Sequence, residues 1–366
     1  MPHGEWTTSD GKLIEVDLEM VEGRLQHLRV AGGVPLLLRD AIATVLNGVP
    51  SDLGAAALAA RVRAAVPFGV ELVGTTPIAI AQAIRQAVNA EADGSPGRVG
   101  AFKAEEIDRL TASWKAFDWR IIPEKALDPV LNVSLDEVLA DRVARGDRPP
   151  TLRFWGWTQP AVIVGRTQAV ENEVDLETVR ALGVAVVRRM TGGGAMFVQP
   201  HGAITYSLYL PERAVAGLSI RQSYEVCEAW VIRGLRTLGV DAHHVPINDI
   251  ACADGKIGGA AQARRKGVVL HHTTIAYDMN PHEMARVLRI GREKLKDKAT
   301  ASAAKRVSPL IRQTALPRES IVEHLRKSFQ MQFGGTLDEA TTEEMTEAER
   351  LVREKYGAEE WTRAFG

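Results

Sequence analysis

At the centre of the chain stands the run Arg188-Arg189-Met190-Thr191-Gly192-Gly193-Gly194-Ala195-Met196-Phe197. It follows a short apolar, valine-rich segment, residues 184–187, that is typical of a buried strand. Glycines leave the backbone bare, so successive N–H groups can form an anion-binding nest beside the two guanidinium groups. The run therefore predicts an anion-binding loop, and the alternative is a plain glycine-rich turn with two solvated arginines.

A second informative stretch is residues 248–262, which read NDIACADGKIGGAAQ. Asp254-Gly255 between two small or apolar runs predicts a two-residue hairpin turn, in which Lys256 pairs with Ala253. Because strand residues alternate between faces, Lys256 would share its face with Asp249, while Cys252 would point to the other side. This predicts a lysine with room for a ligand beside it, and the alternative is a surface lysine that flanks a turn.

Composition and charge restrict the classes of protein to consider. A chain of 366 residues can form two or three domains, and its 45 % hydrophobic and 25 % charged content is ordinary for globular proteins. A net charge of -1 gives no strong attraction to nucleic acid or to an anionic membrane. With two cysteines, no apolar signal core and no membrane-spanning stretch, the sequence predicts a cytoplasmic protein without a disulfide framework.

The chain divides into two parts at a segment rich in glycine, proline and small polar residues. Before it, residues 13–20 and 24–30 predict two strands joined in a hairpin, and residues 38–46 and 78–88 predict helices. We therefore predict an N-terminal domain over residues 1–90, a linker over 91–118 and a second domain over 119–366.

The second part alternates strands with helices. Ser134 and Glu137 match a capping box that would open one helix, and Ser219 and Gln222 match another. A short helix is predicted over 175–182, and residues 204–210 alternate like a strand with one buried face. Strands that arrive partly as hairpins predict an α+β fold, with a mixed or antiparallel sheet and helices packed on it.

Taken together, these segments resemble the lipoate–protein ligase family. The carrying motifs are the double arginine with three glycines, the Asn-Asp pair with its Gly-Lys-Ile hairpin, and the His-His strand over residues 268–275. Family-like stretches also cover residues 131–137, 161–166 and 204–207 and end with Lys355-Tyr356 and Trp361. The chain departs from the family pattern at Val198-Gln199, where His-Asp is usual, and at Thr273, where glycine is usual.

The resemblance implies an activity, cofactors and partners. It implies a biotin/lipoate-ligase-like catalytic domain, preceded by a small α+β accessory domain that usually follows it; the alternative is an unrelated small α+β domain. It implies an ATP-dependent lipoate–protein ligase that forms lipoyl-AMP with Mg-ATP and transfers the lipoyl group to a lysine. The acceptors would be lipoyl domains of 2-oxoacid dehydrogenase acyltransferase subunits and the glycine-cleavage H protein, with no nucleic-acid or membrane partner.

The same resemblance assigns roles to single residues. Lys256 would be the catalytic lysine that bridges the acyl carboxylate and the α-phosphate, and Asp249 would bind Mg. The other residues implied to contact lipoate or ATP are Arg189, Gly192, Gly193, Gly194, Ala195, Met196, Phe197 and His272. The lysine-rich stretch over residues 291–306 resembles the family's adenylate-binding loop, and the alternative there is a solvated basic helix end.

Two alternative functions remain open. The first is an octanoyltransferase of the same fold, which moves its acyl group from a carrier protein through a cysteine thioester. Only Cys227, on an apolar helix stripe, or Cys252, facing away from Lys256, could serve as that nucleophile. The second is a non-catalytic lipoyl- or carrier-binding protein, against which the presence of Arg189, the glycines and Lys256 argues. Biotin ligation is disfavoured because the Gly-Arg-Gly-Arg loop is absent.

Overall fold

A computed structural model of the protein describes residues 3–8, 13–67, 72, 75–92, 102–289 and 307–365. The chain forms two compact units, residues 1–101 and 102–366. Of the predicted linker, residues 93–101 lie outside the described residues, as does the lysine-rich stretch 291–306. Residues 102–118, which the composition assigned to the linker, belong to the second unit, since Trp114 is fully buried in its core.

The first unit is a three-stranded antiparallel sheet with helices packed against it. Its elements are β1 (His3–Thr7), β2 (Leu13–Val21), β3 (Arg24–Gly32), α1 (Leu36–Leu46), α2 (Ala55–Ala65) and α3 (Pro77–Ala92). The predicted hairpin is confirmed, with Glu22 and Gly23 at φ 51° and 72° in its turn. Helix α2 escaped prediction because its sequence is mostly alanine and carries only a narrow buried stripe.

The second unit contains a large sheet, a small sheet and helices on both faces of the large one. Its strands are β4 (Arg120–Leu127), β5 (Thr151–Trp157), β6 (Ala161–Val164), β7 (Ala185–Arg188), β8 (Met196–Val198), β9 (Ala203–Pro211), β10 (His243–Val245), β11 (Asp249–Cys252), β12 (Gly255–Arg265), β13 (Val268–Ala276) and β14 (Thr336–Leu337). Its α-helices are α4 (Ala104–Leu110), α5 (Pro129–Arg145), α6 (Val170–Glu173), α7 (Leu176–Ala181), α8 (Ile220–Thr237), α9 (Pro281–Val287), α10 (Arg318–Phe333), α11 (Thr342–Leu351) and α12 (Glu359–Thr362). Short 3₁₀ turns cover Ala112–Ala116, Glu212–Val215 and Leu310–Arg312, and a π-type turn covers Val352–Tyr356.

The strand order of the large sheet is β10-β11-β12-β13-β9-β5-β4-β14. All its pairs are antiparallel except β4 with β5 and β4 with β14. The small sheet has the order β7-β6-β8, in which β6 runs parallel to β7 and antiparallel to β8. The predicted α+β fold with a mixed sheet is confirmed.

Strand β9 is buried on both faces, whereas its alternating pattern predicted one solvated face. Helices α8 and α10 pack over the face that carries Tyr206, and α5 packs over the face that carries Tyr209. Two polar residues of β9 are satisfied internally: Ser207 accepts a hydrogen bond of 2.9 Å from Trp155 Nε1 and donates one of 2.7 Å to Asp136, and Tyr209 also donates to Asp136. Polar residues in this strand therefore mark a buried network rather than solvent.

Helix α5 begins six residues earlier than the predicted cap at Ser134 implies. Asp128 caps it by accepting a 2.8 Å bond from Val130 N, and Pro129 occupies the first turn, where its missing N–H costs nothing. Ser134 and Glu137 lie buried in the middle of the helix, so the proposed capping box there was wrong. The capping box at Ser219 and Gln222 is confirmed at the start of α8.

No helix in the described part of the chain combines the length and the apolar character needed to cross a membrane.

Candidate functional site

The glycine loop connects β7 to β8 of the small sheet. Gly193 has φ 84°, a backbone conformation that favours glycine. The loop lies directly on the turn that follows β6, because a Cβ added at Gly165 would come within 2.1 Å of the Gly193 carbonyl oxygen. The absence of a side chain at Gly165 is therefore needed for the close approach between these two backbone segments.

Arg188 fixes the loop to the C-terminal part of the unit. It is fully buried and donates hydrogen bonds to the carbonyls of Gly165 at 2.8 Å, Arg166 at 2.9 Å and Thr362 at 2.7 Å. In return, Trp361 Nε1 donates to the Arg188 carbonyl at 3.0 Å. The alternative of a turn with two solvated arginines is thus wrong.

Arg189 supports the loop from inside. Its guanidinium donates to Thr191 Oγ1 at 2.9 Å and to the carbonyls of Ile163, Gly192 and Gly194 at 3.1, 2.5 and 2.9 Å. No carboxylate among the described residues pairs with it, and burial lowers its pKa to about 10. A buried cation without a counter-ion, in the wall of a cavity, favours an electron-rich ligand there.

Behind the loop lies a hydrogen-bonded chain that the sequence did not reveal. His272, predicted as a ligand-binding residue, contacts Thr191 Oγ1 through Nε2 at 2.8 Å and Asp136 Oδ2 through Nδ1 at 2.9 Å. Asp136 also accepts bonds from Ser207 at 2.7 Å and Tyr209 at 2.5 Å. Burial, together with Asp136, raises the pKa of Tyr209. Both ring nitrogens of His272 are thus engaged, so it holds the loop in place as well as lining the cavity.

The lysine hairpin is present, but its turn is displaced by one residue. Ala253 and Asp254 form the turn, Cys252 pairs with Gly255 and Ala251 pairs with Lys256. Ala251 and Asp249 lie two residues apart on one strand and therefore share a face, and Lys256 Nζ lies 2.6 Å from Asp249 Oδ1. The predicted sharing of a face by these two residues is confirmed, whereas the predicted pairing with Ala253 is wrong.

Both cysteines lie on the far side of the sheet from this ion pair. Cys252 packs with Ile250 and Ile257, and Cys227 lies on α8 in the same core. Neither lines the cavity beside Lys256. Burial raises the pKa of the Cys227 thiol, which disfavours its reactive thiolate form.

Space for the lysine comes from Gly259. A Cβ at this position would lie 3.0 Å from Lys256 Nζ and 3.2 Å from its Cε. The lysine side chain therefore crosses the strand over a bare backbone position to reach Asp249.

We expect Gly259→Ala to displace the Lys256 ammonium and to lower about ten-fold or more any turnover that depends on it, because small misplacements of a reacting group are costly. The fold should persist, since only the end of a flexible side chain has to move. Steady-state kinetics and circular dichroism measure the two effects. Gly54→Ala is the control, as its Cβ meets open space; wild-type turnover in Gly259→Ala would show that the close contact is irrelevant.

A cavity of about 310 Å³ lies between the glycine loop and the lysine hairpin. Its walls are mostly apolar and contain seven of the predicted residues, which are Arg189, Gly194, Ala195, Met196, Phe197, Lys256 and His272. The remaining lining residues are Asn248, Ile257, Gly258, Gly259, Ala260, Ala261, Thr274, Ala276, Met279, Met284, Leu288 and Val307. The structure thus brings Arg189, Lys256, His272 and the loop together, while Gly192 and Gly193 shape the loop without lining the cavity.

The metal-binding role predicted for Asp249 stays a prediction. Its carboxylate pairs with Lys256, and it belongs to no cluster of three or more metal-ligating side chains in the described ranges. None of the described residues that line the cavity carries a carboxylate. An apolar slot with an ammonium group and a buried guanidinium in its wall is suited to an acyl group whose carbonyl oxygen gains negative charge. The cavity is therefore suited to an acyl group as its ligand.

Residues 128–330 match the family model of the lipoyl protein ligase A/B catalytic domain. This match covers more than half of the chain, so the chain belongs to that family. The family membership inferred from the glycine loop and the lysine hairpin is thereby confirmed.

Similar proteins include the octanoyltransferase LipM of Kyrpidia tusciae, which is 32 % identical over 271 residues, or 66 % of this chain and 97 % of the relative. The octanoyltransferase LipM of Geobacillus kaustophilus is 31 % identical over 273 residues, with the same coverage of 66 % and 97 %.

Solved structures of the family show the same fold. A bipartite lipoate protein ligase from Thermoplasma acidophilum, studied with its E2 lipoyl domain, is 27 % identical with a TM-score of 0.60 and covers 68 % of this chain and 97 % of its own. A lipoate-protein ligase A bound with ATP is 26 % identical with a TM-score of 0.59, over 68 % of this chain and 100 % of that one.

These relatives correct the predicted reaction. The prediction of an ATP-dependent lipoate–protein ligase is wrong, because the curated relatives at about 30 % identity are octanoyltransferases. The alternative weighed from the sequence, an octanoyltransferase, agrees better with them. Membership of a family of lipoylation enzymes is unaffected by this correction.

Proposed function

We propose that this protein is an octanoyltransferase that moves an octanoyl group from a carrier-protein thioester to a lysine of a lipoyl domain. The observation that carries the proposal is the similarity to octanoyltransferases across the part of the chain that contains the apolar cavity and Lys256. The acceptors are lipoyl domains of 2-oxoacid dehydrogenase complexes and the glycine-cleavage H protein. A lipoyl domain as acceptor also suits the structurally similar T. acidophilum ligase, which was studied with its E2 lipoyl domain.

The acyl chain occupies the cavity. Its apolar lining includes Met196, Phe197, Met279, Met284 and Leu288. Such side chains pack against an alkyl chain, which forms no hydrogen bonds. A volume of about 310 Å³ falls at the lower end of the usual range for small-molecule pockets, roughly 300–1,000 Å³. The chain would lie with its carbonyl near Lys256, which is the cationic group of the hairpin.

The transfer itself is direct, without an acyl-cysteine intermediate. Cys227 and Cys252 are both buried in the core behind the sheet, so neither offers a thiolate to the cavity. The acceptor amine attacks the thioester carbonyl, the new C–N bond forms, and the C–S bond breaks to release the carrier thiolate. The proton lost by the amine nitrogen balances the charge on that thiolate.

Lys256 and Asp249 assist the attack. As the carbonyl oxygen becomes an oxyanion, the Lys256 ammonium donates to it and stabilises the tetrahedral intermediate. Asp249, 2.6 Å from Lys256 Nζ, orients the ammonium and accepts a proton from the incoming amine. Both side chains are partly exposed, at 43 % and 34 %, so an acceptor lysine can reach them.

Such a reaction needs neither ATP nor Mg, because the thioester already supplies a good leaving group. Two features agree with a reaction that uses neither ATP nor Mg. Val198, at a position where the family usually has histidine, is buried in the small sheet, and the next residue, Gln199, donates to Glu283 at 2.6 Å. A metal-binding acid is also missing from the described walls of the cavity.

The test is a transfer assay with an apo lipoyl domain. Octanoyl-carrier protein should modify the domain in the absence of ATP, as read by a mass increase of one octanoyl group. Octanoate or lipoate with Mg-ATP should give no modification in a parallel reaction. Modification that appears only with the free acid and ATP would overturn the proposal.

We expect the double variant Cys227→Ala/Cys252→Ala to keep transferase activity within a few-fold of wild type. Its unfolding free energy should fall by about 1–2 kcal/mol, because two buried sulfur atoms are lost. Chemical denaturation and the transfer assay separate the two effects. Loss of activity in a folded double variant, with an octanoyl adduct on a cysteine of the wild type, would replace direct transfer by a thioester route.

A further inference from the structure

The lysine hairpin, formed by β11 and β12, lies next to the edge of the large sheet. Strand β10 is the terminal strand of that sheet, and among the described residues it pairs only with β11, which carries Asp249. The pairing is three residues long, with His244 opposite Ile250 and Val245 opposite Asp249. An edge ladder this short has few hydrogen bonds, so its position depends on contacts made by its side chains.

One such contact joins β10 to helix α8. His244 Nδ1 lies 2.6 Å from Glu228 Oε2, and Glu228 has no solvent exposure. Neither Glu228 Oε1 nor His244 Nε2 has a hydrogen-bond partner within the part of the chain that the structure describes. The His244–Glu228 bond is therefore the single polar contact found there for each of these side chains.

A buried pair of this kind is a poor source of stability. Removing a carboxylate from water costs more than one hydrogen bond returns, and burial accordingly raises the pKa of Glu228. Fixing a register or a position is the better attested use of such groups. The pair lies one residue in the ladder from Asp249, the carboxylate that holds Lys256.

We propose that Glu228 and His244 are positioning residues, which set the place of β10 and β11 and so hold Asp249 against Lys256. Helix α8 is the fixed reference, since its apolar stripe is packed in the main core. The contact of His244 with Glu228 fixes β10 relative to α8, and the β10–β11 ladder fixes Asp249 relative to β10. The effect of the pair on catalysis rests on the proposed function, but its effect on the contact between Lys256 and Asp249 does not.

Other charged groups near the pair also act on it electrostatically. Glu225, one turn earlier on α8, accepts a 2.5 Å bond from Phe102 N and also acts on His244 through space. Asp249 and Lys256 act on Glu228 from the hairpin. We therefore keep the pH fixed and measure the reactivity of Lys256 rather than a titration.

The experiment is trace acetylation of the full-length protein with a limiting amount of acetic anhydride, read by mass spectrometry for each lysine. In Glu228→Gln and in His244→Gln, loss of the Asp249 contact should raise the labelling of Lys256 several-fold relative to the other lysines. Turnover should fall roughly ten-fold, with KM nearly unchanged, because the binding cavity is untouched. The double variant should behave like either single variant, since the residues act as a unit.

The matched control is Glu344→Gln. Glu344 forms a buried pair with Arg148 at 2.9 Å, at a position away from the hairpin, so it reports a general loss of stability. It should leave the labelling of Lys256 unchanged. Should Glu228→Gln fail to fold, His244→Gln alone decides the question, as it leaves the helix intact. Wild-type labelling in a folded His244→Gln overturns the proposal, whereas changed labelling in a protein without transferase activity overturns only the proposed function.

Discussion

The variant Lys256→Ala is expected to transfer octanoyl groups roughly a hundred to a thousand times more slowly than the wild type. Removing one donor from a developing oxyanion costs on the order of 3–4 kcal/mol of transition-state stabilisation. The protein should remain folded, because the lysine is 43 % exposed and its ion pair with Asp249 contributes little to stability. The loss should appear in kcat, measured with saturating octanoyl-carrier protein and lipoyl domain.

Two further variants make this result specific. Lys256→Arg should not restore activity, because a planar guanidinium cannot replace a compact ammonium between Gly259 and Asp249. Lys266→Ala removes another lysine, one that pairs with Asp141 at 3.0 Å, and should leave the rate unchanged. Turnover within a few-fold of wild type in Lys256→Ala would show that this residue only flanks the turn and does not act in the reaction.

Arg189→Met is expected to abolish activity and to lower the free energy of unfolding by about 3 kcal/mol or more. Arg189 donates to the carbonyls of Gly192 and Gly194, so in the variant both carbonyls lose their donor and the glycine loop changes its shape. Thermal and chemical denaturation measure stability, and octanoate binding by calorimetry measures the state of the cavity.

The control for this variant is Arg264→Met on the exposed end of β12, which should change stability by less than about 0.5 kcal/mol. Arg189→Lys should keep the charge but not the loop, because one ammonium cannot reach all four acceptors. Retained octanoate binding in Arg189→Met would show that the loop holds its shape without the guanidinium.

The sequence predicts the parts of the site that are local in the chain. The glycine loop and the lysine hairpin are short motifs whose conformation depends on glycines and on strand alternation, so Arg189 and Lys256 could be found from their neighbours. The hydrogen-bonded chain of Asp136, Thr191 and His272 could not, because its members lie as much as 136 residues apart. The packing of α5 on β13, with the glycine loop beside His272, brings them together.

The reaction was harder to predict than the fold. An apolar slot beside a lysine suits an acyl-adenylate as well as an acyl thioester, since both present an electrophilic carbonyl to the same cation. Val198-Gln199 departs from the family pattern, but this departure alone does not name the donor. Helix α5 shows a similar limit, since Ser134 and Glu137 match a cap by spacing alone, whereas Asp128-Pro129 caps the helix.

The contacts of Arg188 bear on how the enzyme is made. Its guanidinium binds the carbonyls of Trp361 and Thr362, which follow it in the chain by 173 and 174 residues. At a synthesis rate of about 5–20 residues per second, a ribosome needs roughly ten to thirty seconds to reach them. During that interval Arg188 lacks the acceptors that Trp361 and Thr362 provide, while the carbonyls of Gly165 and Arg166 are already present. We therefore expect a chain that lacks this distant segment to hold its glycine loop less firmly.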